Sequence, residues 1–394
     1  MLKPGENFWG HKLLYNGRQV ILSKEVYKLK VGIFHPPLNV CGGAEWVAVN
    51  IINSLRKEGY RTVVLTNEKI DQKKMESIFG FKVDADNEIV FPLEIFTSTD
   101  LHNVYTDALR TLFLKTKCDL LIDTQSNSTL PGTDVTYIHF PILGRLKGMY
   151  EGGLRAAYFL PYLIYERSEA KSAERLILSN SKYTSDAIKK ISGMNSSLLY
   201  PPISETFYLN PNEVDKKENV VVAASRIAPE KRLTLVPQVA RLTSRNIRFC
   251  IVGLRGSTQE LRQILTLIER NGVSDRVEVM TDVPRKTLQS ILRKSKVYLH
   301  LAHGEHFGVS IVEAMASGCI PIVHNSGGPK EFVPESYRFN GLEEAARKIE
   351  KAVFEWTPRE SRQIIDLARP FSQENFSTRF LEIFDTYVRN QLSQ

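Results

Sequence analysis

The fold is decided by residues 297–318, which read VYLHLAHGEHFGVSIVEAMASG. An apolar run typical of a buried strand ends at Leu301, and after a short loop a helical pattern begins near Val309. Gly318 follows the last turn of this pattern, where a glycine in the left-handed conformation commonly ends a helix. A strand, a loop and a helix in this order are the repeating unit of a doubly wound α/β sheet, which binds ligands beyond the carboxyl ends of its strands.

Two glutamates of this stretch are candidate ligand contacts. Glu305 lies in the loop at the carboxyl edge of the sheet, and Glu313 lies about one turn inside the helix. The free N–H groups at the start of the helix favour an anion such as phosphate, and two carboxylates suit the hydroxyl groups of a sugar or ribose. The simpler alternative is that Glu313 is solvated and that Glu305 only caps the helix. The complete string favours a site that grips a sugar, a phosphate and a ribose together.

The rest of the chain repeats the alternation of strand and helix, which predicts parallel sheets covered by crossover helices. A proline-bearing polar segment, 201–219, predicts a linker between two such halves, and a final amphipathic helix is predicted over 378–390. Helices are also predicted from about Ala44 to Gly59 and over 259–270, 286–293 and 309–317. The predicted strands are 30–34, 61–66, 120–123, 135–139, 176–179, 219–224, 248–252, 276–280, 297–301 and 320–323.

The composition excludes several classes of protein. The chain has 394 residues, of which 42% are hydrophobic and 24% charged, as in a folded protein rather than a disordered one. Its net charge of +8 is spread along the sequence, which suits phosphates but does not favour nucleic-acid binding. We expect a cytoplasmic protein with free thiols, because the sequence shows no bilayer-spanning run, no secretory signal and no CxxC among its widely spaced cysteines.

A pair of cations forms a second candidate cluster. Arg226 is expected to end the first strand of the second half, and Lys231 follows it at the same sheet edge as Glu305. Two cations at this position can neutralise a diphosphate and stabilise it as a leaving group. Surface Arg and Lys residues without a role are common, but the position at a strand end favours a function.

A glycine pair, Gly42 and Gly43, forms a third cluster between the first strand and its helix. Glycines before a helix allow a ligand to approach the backbone closely. The loop is neither a G-x-G-x-x-G motif nor a phosphate loop ending in GK[ST]. An ordinary tight turn explains these two residues equally well.

Three other groups of residues are weaker candidates for chemistry. The spacing of three histidines does not favour zinc, because a glycine interrupts any common helical face. An Asp-x-Asp triplet of the metal-binding kind is more simply explained as a turn, and no G-x-S-x-G elbow supports a hydrolase. These groups are His300, His303 and His306; Asp84 and Asp86; and Ser126, Ser128 and His139.

Taken together, these motifs resemble those of the retaining glycosyltransferases of family four, which have the GT-B fold. Three further segments make the chain most similar to the eukaryotic α-1,2-mannosyltransferases that extend the dolichol-linked oligosaccharide for asparagine glycosylation. The resemblance covers about residues 30–390 and leaves residues 1–29 outside it. The three further segments are Asn325-Ser326-Gly327-Gly328-Pro329-Lys330-Glu331, Tyr137-Ile138-His139-Phe140-Pro141 and Leu199-Tyr200-Pro201-Pro202.

The resemblance implies a role for each motif residue. Glu305 is implied to contact the hydroxyls of the donor sugar, Glu313 the ribose, and His139 to lie over the donor sugar. Arg226 and Lys231 are implied to hold the diphosphate, and the implied catalytic residues are His139, Arg226, Lys231 and Glu305. The implied donor-binding residues are Gly42, Gly43, Arg226, Lys231, Glu305, Phe307, Gly308, Val309, Ser310 and Glu313, with Gly43 allowing the first domain to close on the phosphates.

The resemblance also implies the architecture and the reaction. Two Rossmann-like, doubly wound domains are expected to face each other across a cleft, with the C-terminal helix returning to the first. The expected bounds are an extension at 1–29, an acceptor domain at 30–205, a nucleotide-sugar domain at 206–370 and the C-terminal helix at 371–394. The implied reaction is metal-independent transfer of mannose from GDP-mannose to a lipid-linked saccharide, with retention of configuration. The alternatives are UDP-glucose or UDP-N-acetylglucosamine as the donor, or a non-catalytic protein that binds nucleotide sugars or glycans.

A lipid-linked acceptor implies that the protein reaches the cytoplasmic face of a membrane peripherally. Residues 145–170 are the candidate membrane surface, because this segment is amphipathic and interrupted by Pro161. Arg145, Lys147 and Arg155 supply its positive charge. The alternative is that this segment packs inside the first domain. Its apolar residues are Leu154, Tyr158, Phe159, Leu160 and Leu163.

Overall fold

The computed structural model describes residues 12–15, 18–21, 29–92, 104–141, 160–162, 164–166, 168, 175–210, 214, 217–254 and 256–393. Within these residues it contains two fully parallel sheets and, near the N-terminus, an antiparallel pair formed by β1 (Lys12–Tyr15) and β2 (Arg18–Ile21). The two parallel sheets confirm the prediction of two doubly wound α/β units.

The first parallel sheet is formed by residues between Lys30 and Leu198. Its strands are β3 (Lys30–Phe34), β4 (Arg61–Thr66), β5 (Asn87–Val90), β6 (Leu120–Asp123), β7 (Val135–Ile138), β8 (Leu176–Ser179) and β9 (Ser197–Leu198). They lie in the order β5-β4-β3-β6-β7-β8-β9. The helices described beside this sheet are α1 (Gly43–Lys57), α2 (Gln72–Phe79), α3 (Val104–Lys115) and α4 (Lys182–Ser192). The central strands are short apolar runs because helices cover both faces of a parallel sheet, and Ile33 and Val64 are fully buried.

The second parallel sheet is formed by residues between Glu218 and Phe339. Its strands are β10 (Glu218–Arg226), β11 (Arg248–Leu254), β12 (Val277–Thr281), β13 (Ser295–His300), β14 (Ile320–His324) and β15 (Arg338–Phe339). They lie in the order β12-β11-β10-β13-β14-β15. Its helices are α5 (Val236–Arg241), α6 (Thr258–Arg270), α7 (Arg285–Lys294), α8 (Val309–Ala316), α9 (Leu342–Phe354) and α10 (Pro358–Ala368).

Both sheets reverse their winding direction at one point. In the first sheet the chain winds outward from β3 on one side and from β6 on the other, and in the second sheet the same holds for β10 and β13. Crossover connections leave these two strands in opposite directions, which opens a crevice at their carboxyl ends. The loops after β3, β10 and β13 carry the three candidate clusters, so the topology brings them to such crevices.

The C-terminal helix α11 (Gln373–Leu392) packs on the first sheet's helix α1, as predicted. Phe380, Phe384 and Val388 are buried in the same core as the α1 residues. The Tyr60 hydroxyl donates to Asp385 Oδ1 at 2.7 Å. The helix therefore crosses from the second unit, where the preceding Phe371 is buried, back to the first.

The segment that joins the two sheets is packed against both of them. Ile203 and Phe207 are buried in the core of the second unit. From the first unit, Trp46 Nε1 donates to the carbonyl of Pro202 at 2.7 Å. The described part of the predicted linker is thus fixed to both units.

Most predicted strands agree with the structure within two residues, and β3, β4, β6 and β8 begin and end where the sequence places them. The predicted end of β7 at His139 is wrong by one residue, because the strand ends at Ile138. The predicted end of β13 at Leu301 is likewise wrong, because its pairing with β14 stops at His300. The edge strands β5, β9 and β15 are missed by the sequence patterns, since they are short and none of them is a continuous run of buried residues.

Two findings concern features expected from composition. The four cysteines are free, as predicted, and Cys41, Cys250 and Cys319 are buried. In the part of the chain that the structure describes, no helix combines the length and the apolar character needed to cross a membrane.

Candidate active site

Glu305 lies directly after β13 and is held by two donors. Lys231 Nζ lies 2.5 Å from its Oε2, and His300 Nε2 lies 3.0 Å from the same oxygen. Burial alone would raise the pKa of Glu305, but the hydrogen bond from His300 and the charge of Lys231 hold it well below its ordinary value. Glu305 is therefore an ionised carboxylate in a fixed orientation, and the prediction that it only caps a helix is not supported by these contacts.

Lys231 and Arg226 are held very differently. Lys231 ends a short 3-10 helix, Pro229–Lys231, which directs its ammonium group to Glu305 across the crevice between β10 and β13. Arg226 ends β10 as predicted, but 67% of its side chain is exposed, and it pairs with Glu230 at 3.1 Å. The structure therefore joins Lys231 to Glu305 and leaves Arg226 at the rim.

Glu313 is buried inside α8, and the solvated reading of this residue is wrong. Only 8% of its side chain is exposed, and Arg285 Nη2 lies 2.7 Å from its Oε1. Burial raises the pKa of Glu313, and the charge of Arg285 opposes this effect. A buried carboxylate with a dedicated arginine is typical of a site rather than of a helix surface.

The start of α8 has the backbone geometry expected of an anion site. Gly308 precedes the helix with φ +92, a conformation that side-chain-bearing residues rarely adopt. A Cβ at Gly308 would approach Ile311 Cδ1 to 2.5 Å, so the end of the Ile311 side chain would also have to move. Val309 begins the helix, and the Ser310 hydroxyl lies 2.8 Å from the Tyr298 hydroxyl. Phe307 is buried beneath this turn and fixes its position from the core side.

The glycine pair of the first unit faces this turn. Gly42 N–H donates to Glu45 Oε2 at 2.7 Å, and Glu45 Oε1 is in turn 3.2 Å from His35 Nε2. A Cβ built on Gly43 would have Val309 Cγ2 as its nearest neighbour, at 4.0 Å. The loop therefore approaches the start of α8 from across the cleft.

His139 lies just beyond β7 on the first unit's side of the cleft. Its backbone N–H donates to Asn127 Oδ1 at 2.7 Å, and its carbonyl accepts a hydrogen bond from Asn180 Nδ2 at 2.9 Å. Burial is the main cause that lowers the pKa of His139 to about 4, and the nearby His35 contributes to the same shift. The imidazole is thus neutral near pH 7, and its Nε2 lies 3.3 Å from the carbonyl oxygen of Thr124.

A ring contact shows that the His139 loop and the Glu305 loop meet. Phe140 and His306 are stacked with their ring centroids 4.0 Å apart and an angle of 8° between their planes. The backbone N–H groups of Lys182 and Tyr183, at the start of α4, each donate to the Glu331 carboxylate at 2.9 Å. The sequence motifs from both halves therefore surround one cleft.

Several supporting residues are missed by the sequence analysis. Arg285 and His300 hold the two glutamates, and Asn127 orients the His139 loop, yet each stands alone in sequence without a motif. The only available signal was the polar His300 inside an apolar strand. Its spacing from His303 and His306 points to a possible metal ligand rather than to a partner of Glu305.

The weaker candidate groups have structural explanations. His303 packs against His324 rather than against the other two histidines, and the described residues contain no group of three or more His, Cys, Asp or Glu side chains that could hold a metal. Asp86 accepts hydrogen bonds from Arg56 Nη1 and from the backbone N–H of Thr62, each at 2.7 Å, so its carboxylate is used within the fold. Ser126 donates to Asp123 instead of a histidine.

Comparison with known proteins identifies the domain that carries the second sheet. Residues 204–363, which contain Arg226, Lys231, Glu305 and Glu313, match the family model of the glycosyl transferases group 1. The chain carries a group 1 glycosyl transferase domain. This match confirms the resemblance on which the expected fold and enzyme class rest, and the protein is a glycosyltransferase.

Relatives of this glycosyltransferase include a human protein and a Dictyostelium discoideum protein, both named GDP-Man:Man(3)GlcNAc(2)-PP-Dol alpha-1,2-mannosyltransferase. The human protein is 26% identical over 82% of this chain and 78% of its own length. The second is 23% identical over 94% of this chain and 87% of its own length.

Solved structures share the fold of this glycosyltransferase. The Anabaena protein HepE, solved with UDP and glucose, has a TM-score of 0.69 and is 16% identical over 91% of this chain and all of its own. WaaG, a glycosyltransferase involved in lipopolysaccharide biosynthesis, has a TM-score of 0.66 and is 15% identical over 90% of this chain and 99% of its own. Both comparisons confirm the predicted GT-B architecture.

Proposed function

We propose that this glycosyltransferase transfers mannose from GDP-mannose to a dolichol-linked oligosaccharide, forming an α-1,2 linkage with retention at the anomeric carbon. The names of the human and Dictyostelium relatives support the donor, the acceptor type and the linkage. The single observation that carries the site is the contact between Lys231 and Glu305 at the crevice between β10 and β13.

The proposed reaction assigns each group a task. The bond between the anomeric carbon and the diphosphate oxygen breaks, and the diphosphate keeps the electron pair. The acceptor hydroxyl bonds to that carbon and gives its proton to the departing diphosphate. The Lys231 ammonium group donates one hydrogen bond to Glu305 and has two further N–H donors for the departing diphosphate. Arg226 adds positive charge at the edge of the cleft.

The sugar is held by groups of fixed charge. Glu305 is ionised and oriented, and it accepts hydrogen bonds from sugar hydroxyls. His139 is neutral, and because its Nε2 lies beside the Thr124 carbonyl, its Nδ1 is left as an acceptor over the sugar. The turn at Gly308 and the facing Gly43 loop supply backbone N–H groups near the phosphates.

Ligand binding and transfer test the proposal together. In a thermal-shift panel, GDP and GDP-mannose should raise the unfolding temperature more than UDP, UDP-glucose or UDP-N-acetylglucosamine. Labelled mannose should then pass from GDP-mannose to a lipid-linked saccharide. Stabilisation by the UDP compounds alone would overturn the donor assignment, and binding with neither transfer nor donor hydrolysis would favour a non-catalytic protein.

The proposal includes transfer without a metal ion, because Lys231 and Arg226 supply positive charge for the diphosphate. We expect EDTA to leave the rate of mannose transfer unchanged within about twofold. Loss of activity in EDTA with recovery in Mn²⁺ or Mg²⁺ would contradict this part of the proposal.

We further propose that the protein reaches a lipid-linked acceptor at the cytoplasmic face of a membrane through the outer face of α3. Leu109, Leu112 and Phe113 occupy one face of this helix and are 60%, 47% and 38% exposed. Lys117 Nζ lies 5.6 Å from the centroid of the Phe113 ring and adds positive charge. An apolar helix face with an adjacent cation suits an anionic bilayer surface.

The candidate surface predicted from sequence is only partly described by the structure. Arg145, Lys147 and Arg155 lie outside the described residues, as do Leu154, Tyr158, Phe159 and Leu163. Leu160 is 54% exposed. Tyr162 is buried in the core cluster that also contains Val104 and Leu114 of α3.

A further inference from the structure

Arg285, the first residue of α7, joins Glu313 to aromatic rings from two other parts of the chain. Its Nη2 donates to Glu313 Oε1 at 2.7 Å. Its Cζ lies 4.7 Å from the centroid of the Phe207 ring and 5.5 Å from the centroid of the Trp46 ring. Trp46 belongs to α1 of the first unit and Phe207 to the segment between the units, so this guanidinium lies where both units meet.

The two rings are themselves fixed in place. Trp46 Nε1 donates to the Pro202 carbonyl at 2.7 Å, and the Trp46 ring packs 5.0 Å from Phe79. Phe207 is fully buried. Because a guanidinium is attracted to the faces of aromatic rings, these contacts fix the direction from which Arg285 approaches Glu313.

Glu313 keeps one oxygen for a ligand. Its Oε1 is taken by Arg285, whereas its Oε2 accepts no hydrogen bond from the residues that the structure describes. The Glu313 side chain keeps 8% of its surface exposed, and Oε2 is the oxygen that Arg285 does not contact. This oxygen is available to a group that enters the cleft.

We propose that Arg285 is a positioning residue for the donor nucleotide, which holds the Glu313 carboxylate so that Oε2 accepts hydrogen bonds from the ribose hydroxyls. This inference rests on the proposed function, because it requires a nucleoside diphosphate donor. Burial raises the pKa of Glu313, and the Arg285 charge opposes that effect. Without Arg285 the carboxyl group would more readily hold a proton and lose both its fixed direction and its strength as an acceptor.

The test compares GDP with 2′,3′-dideoxyguanosine diphosphate, which lacks the ribose hydroxyls. Their dissociation constants are measured by calorimetry on the full chain. The wild-type protein should bind GDP about 10-fold more tightly or better, as expected for hydrogen bonds to a charged acceptor. In Glu313→Gln and Arg285→Gln this ratio should fall below about 3, with little change in affinity for the dideoxy compound.

Arg293→Gln is the matched control. Arg293 lies on the same helix, and its Nη2 donates to the Thr206 carbonyl at 3.0 Å, so it supports the same segment without touching Glu313. Its ratio should equal that of the wild-type protein. Arg285→Lys, which retains a donor for Glu313, should give an intermediate ratio and serves as the test variant if Arg285→Gln does not fold.

The possible results separate this inference from the proposed function. A wild-type ratio in Arg285→Gln, or an equal loss of both ligands, would overturn the positioning role. Equal binding of GDP and its dideoxy analogue by the wild-type protein would also overturn it, while leaving the GDP donor in place. If the wild-type protein binds UDP but not GDP, the donor assignment fails, and UDP with its dideoxy analogue tests Arg285 in the same way.

Discussion

Lys231 and Arg226 lie five positions apart in sequence, but they differ in their importance for transfer. Lys231 is mostly buried and in contact with Glu305, so Lys231→Ala removes a charge from the diphosphate site and also leaves Glu305 with one partner fewer. We expect turnover at saturating donor to fall about 100-fold or more. Arg226→Ala removes a largely exposed charge, and we expect a loss of about 10-fold.

Arg248→Ala is the control for these two variants. Arg248 begins β11 at the opposite end of the sheet and forms an exposed pair with Glu218, much as Arg226 does with Glu230. Arg248 lies away from the cleft, and its exposed ion pair contributes little to stability. The turnover of Arg248→Ala should therefore stay within about twofold of wild type. Near-normal turnover in Lys231→Ala would contradict the role assigned to this lysine.

His139 makes the stability of the protein depend on pH. Burial lowers its pKa from an ordinary value of 6.5 to about 4, so the unfolded chain takes up a proton at a higher pH than the folded chain does. Its contribution to stability is complete above about pH 6.5 and is lost as the pH falls to about 4, by roughly 3 kcal/mol. Urea unfolding of wild type and His139→Gln should show their difference in unfolding free energy decreasing by that amount between pH 7 and pH 4. A difference that does not change with pH would contradict the low pKa.

At the level of residues, the sequence predicted the side chains at the cleft more accurately than it predicted the partner residues that hold those side chains in place. Glu305 and Lys231 were predicted at one sheet edge, because the carboxyl ends of adjacent parallel strands meet. The pairing of Arg285 with Glu313 was not predictable, because it depends on how α7 packs beside α8 and on rings from distant parts of the chain. The roles assigned to the site residues by resemblance remain predictions.

Among the elements, α3 carries the prediction about membranes. Leu109→Ser combined with Leu112→Ser removes apolar surface from the exposed face and leaves its buried side unchanged. We expect the wild-type protein to float with anionic vesicles at low salt and the double variant to float much less, because burial of apolar side chains drives interfacial binding. Flotation at several salt concentrations gives the measurement.

Leu265→Ser is the matched control for this experiment. Leu265 lies on α6 of the second unit and is 46% exposed, which is close to the exposure of Leu112. Its flotation should equal that of the wild-type protein. Equal flotation of the α3 double variant and the wild-type protein would place the membrane surface elsewhere, and an Arg145, Lys147 and Arg155 to Ala variant would then test the segment predicted from sequence.

The strands and helices themselves were well predicted where they are long and apolar. The strands β3, β4, β6 and β8 are nearly continuous runs of buried residues, so burial on both faces determined their pattern. The edge strands β5 and β9 are short and partly exposed, and their pairing depends on a neighbouring strand rather than on their own composition.

The whole molecule is held together by its C-terminal helix as well as by the segment between the units. Phe371 is buried in the second unit just before α11 begins, and the helix then buries Phe380, Phe384 and Val388 against the first unit. Gln373 Nε2 also donates to Asn50 Oδ1 at 2.9 Å. The order of elements in sequence could predict this return only through resemblance, since periodicity indicates a buried face but not its partner.

Removing one aromatic ring from α11 should therefore weaken the first unit while leaving donor binding in the second. Phe384 is fully buried and packs edge-on against Tyr60 at 5.6 Å, so Phe384→Ala should lower the free energy of unfolding by about 3–5 kcal/mol. Urea unfolding gives this value, and the GDP dissociation constant of the folded variant should match that of wild type, because Lys231, Glu305 and Glu313 all belong to the second unit. Leu367→Ala, on the surface of α10 with 41% exposure, should change stability by no more than about 0.5 kcal/mol. An unchanged stability in Phe384→Ala would mean that α11 does not complete the core of the first unit.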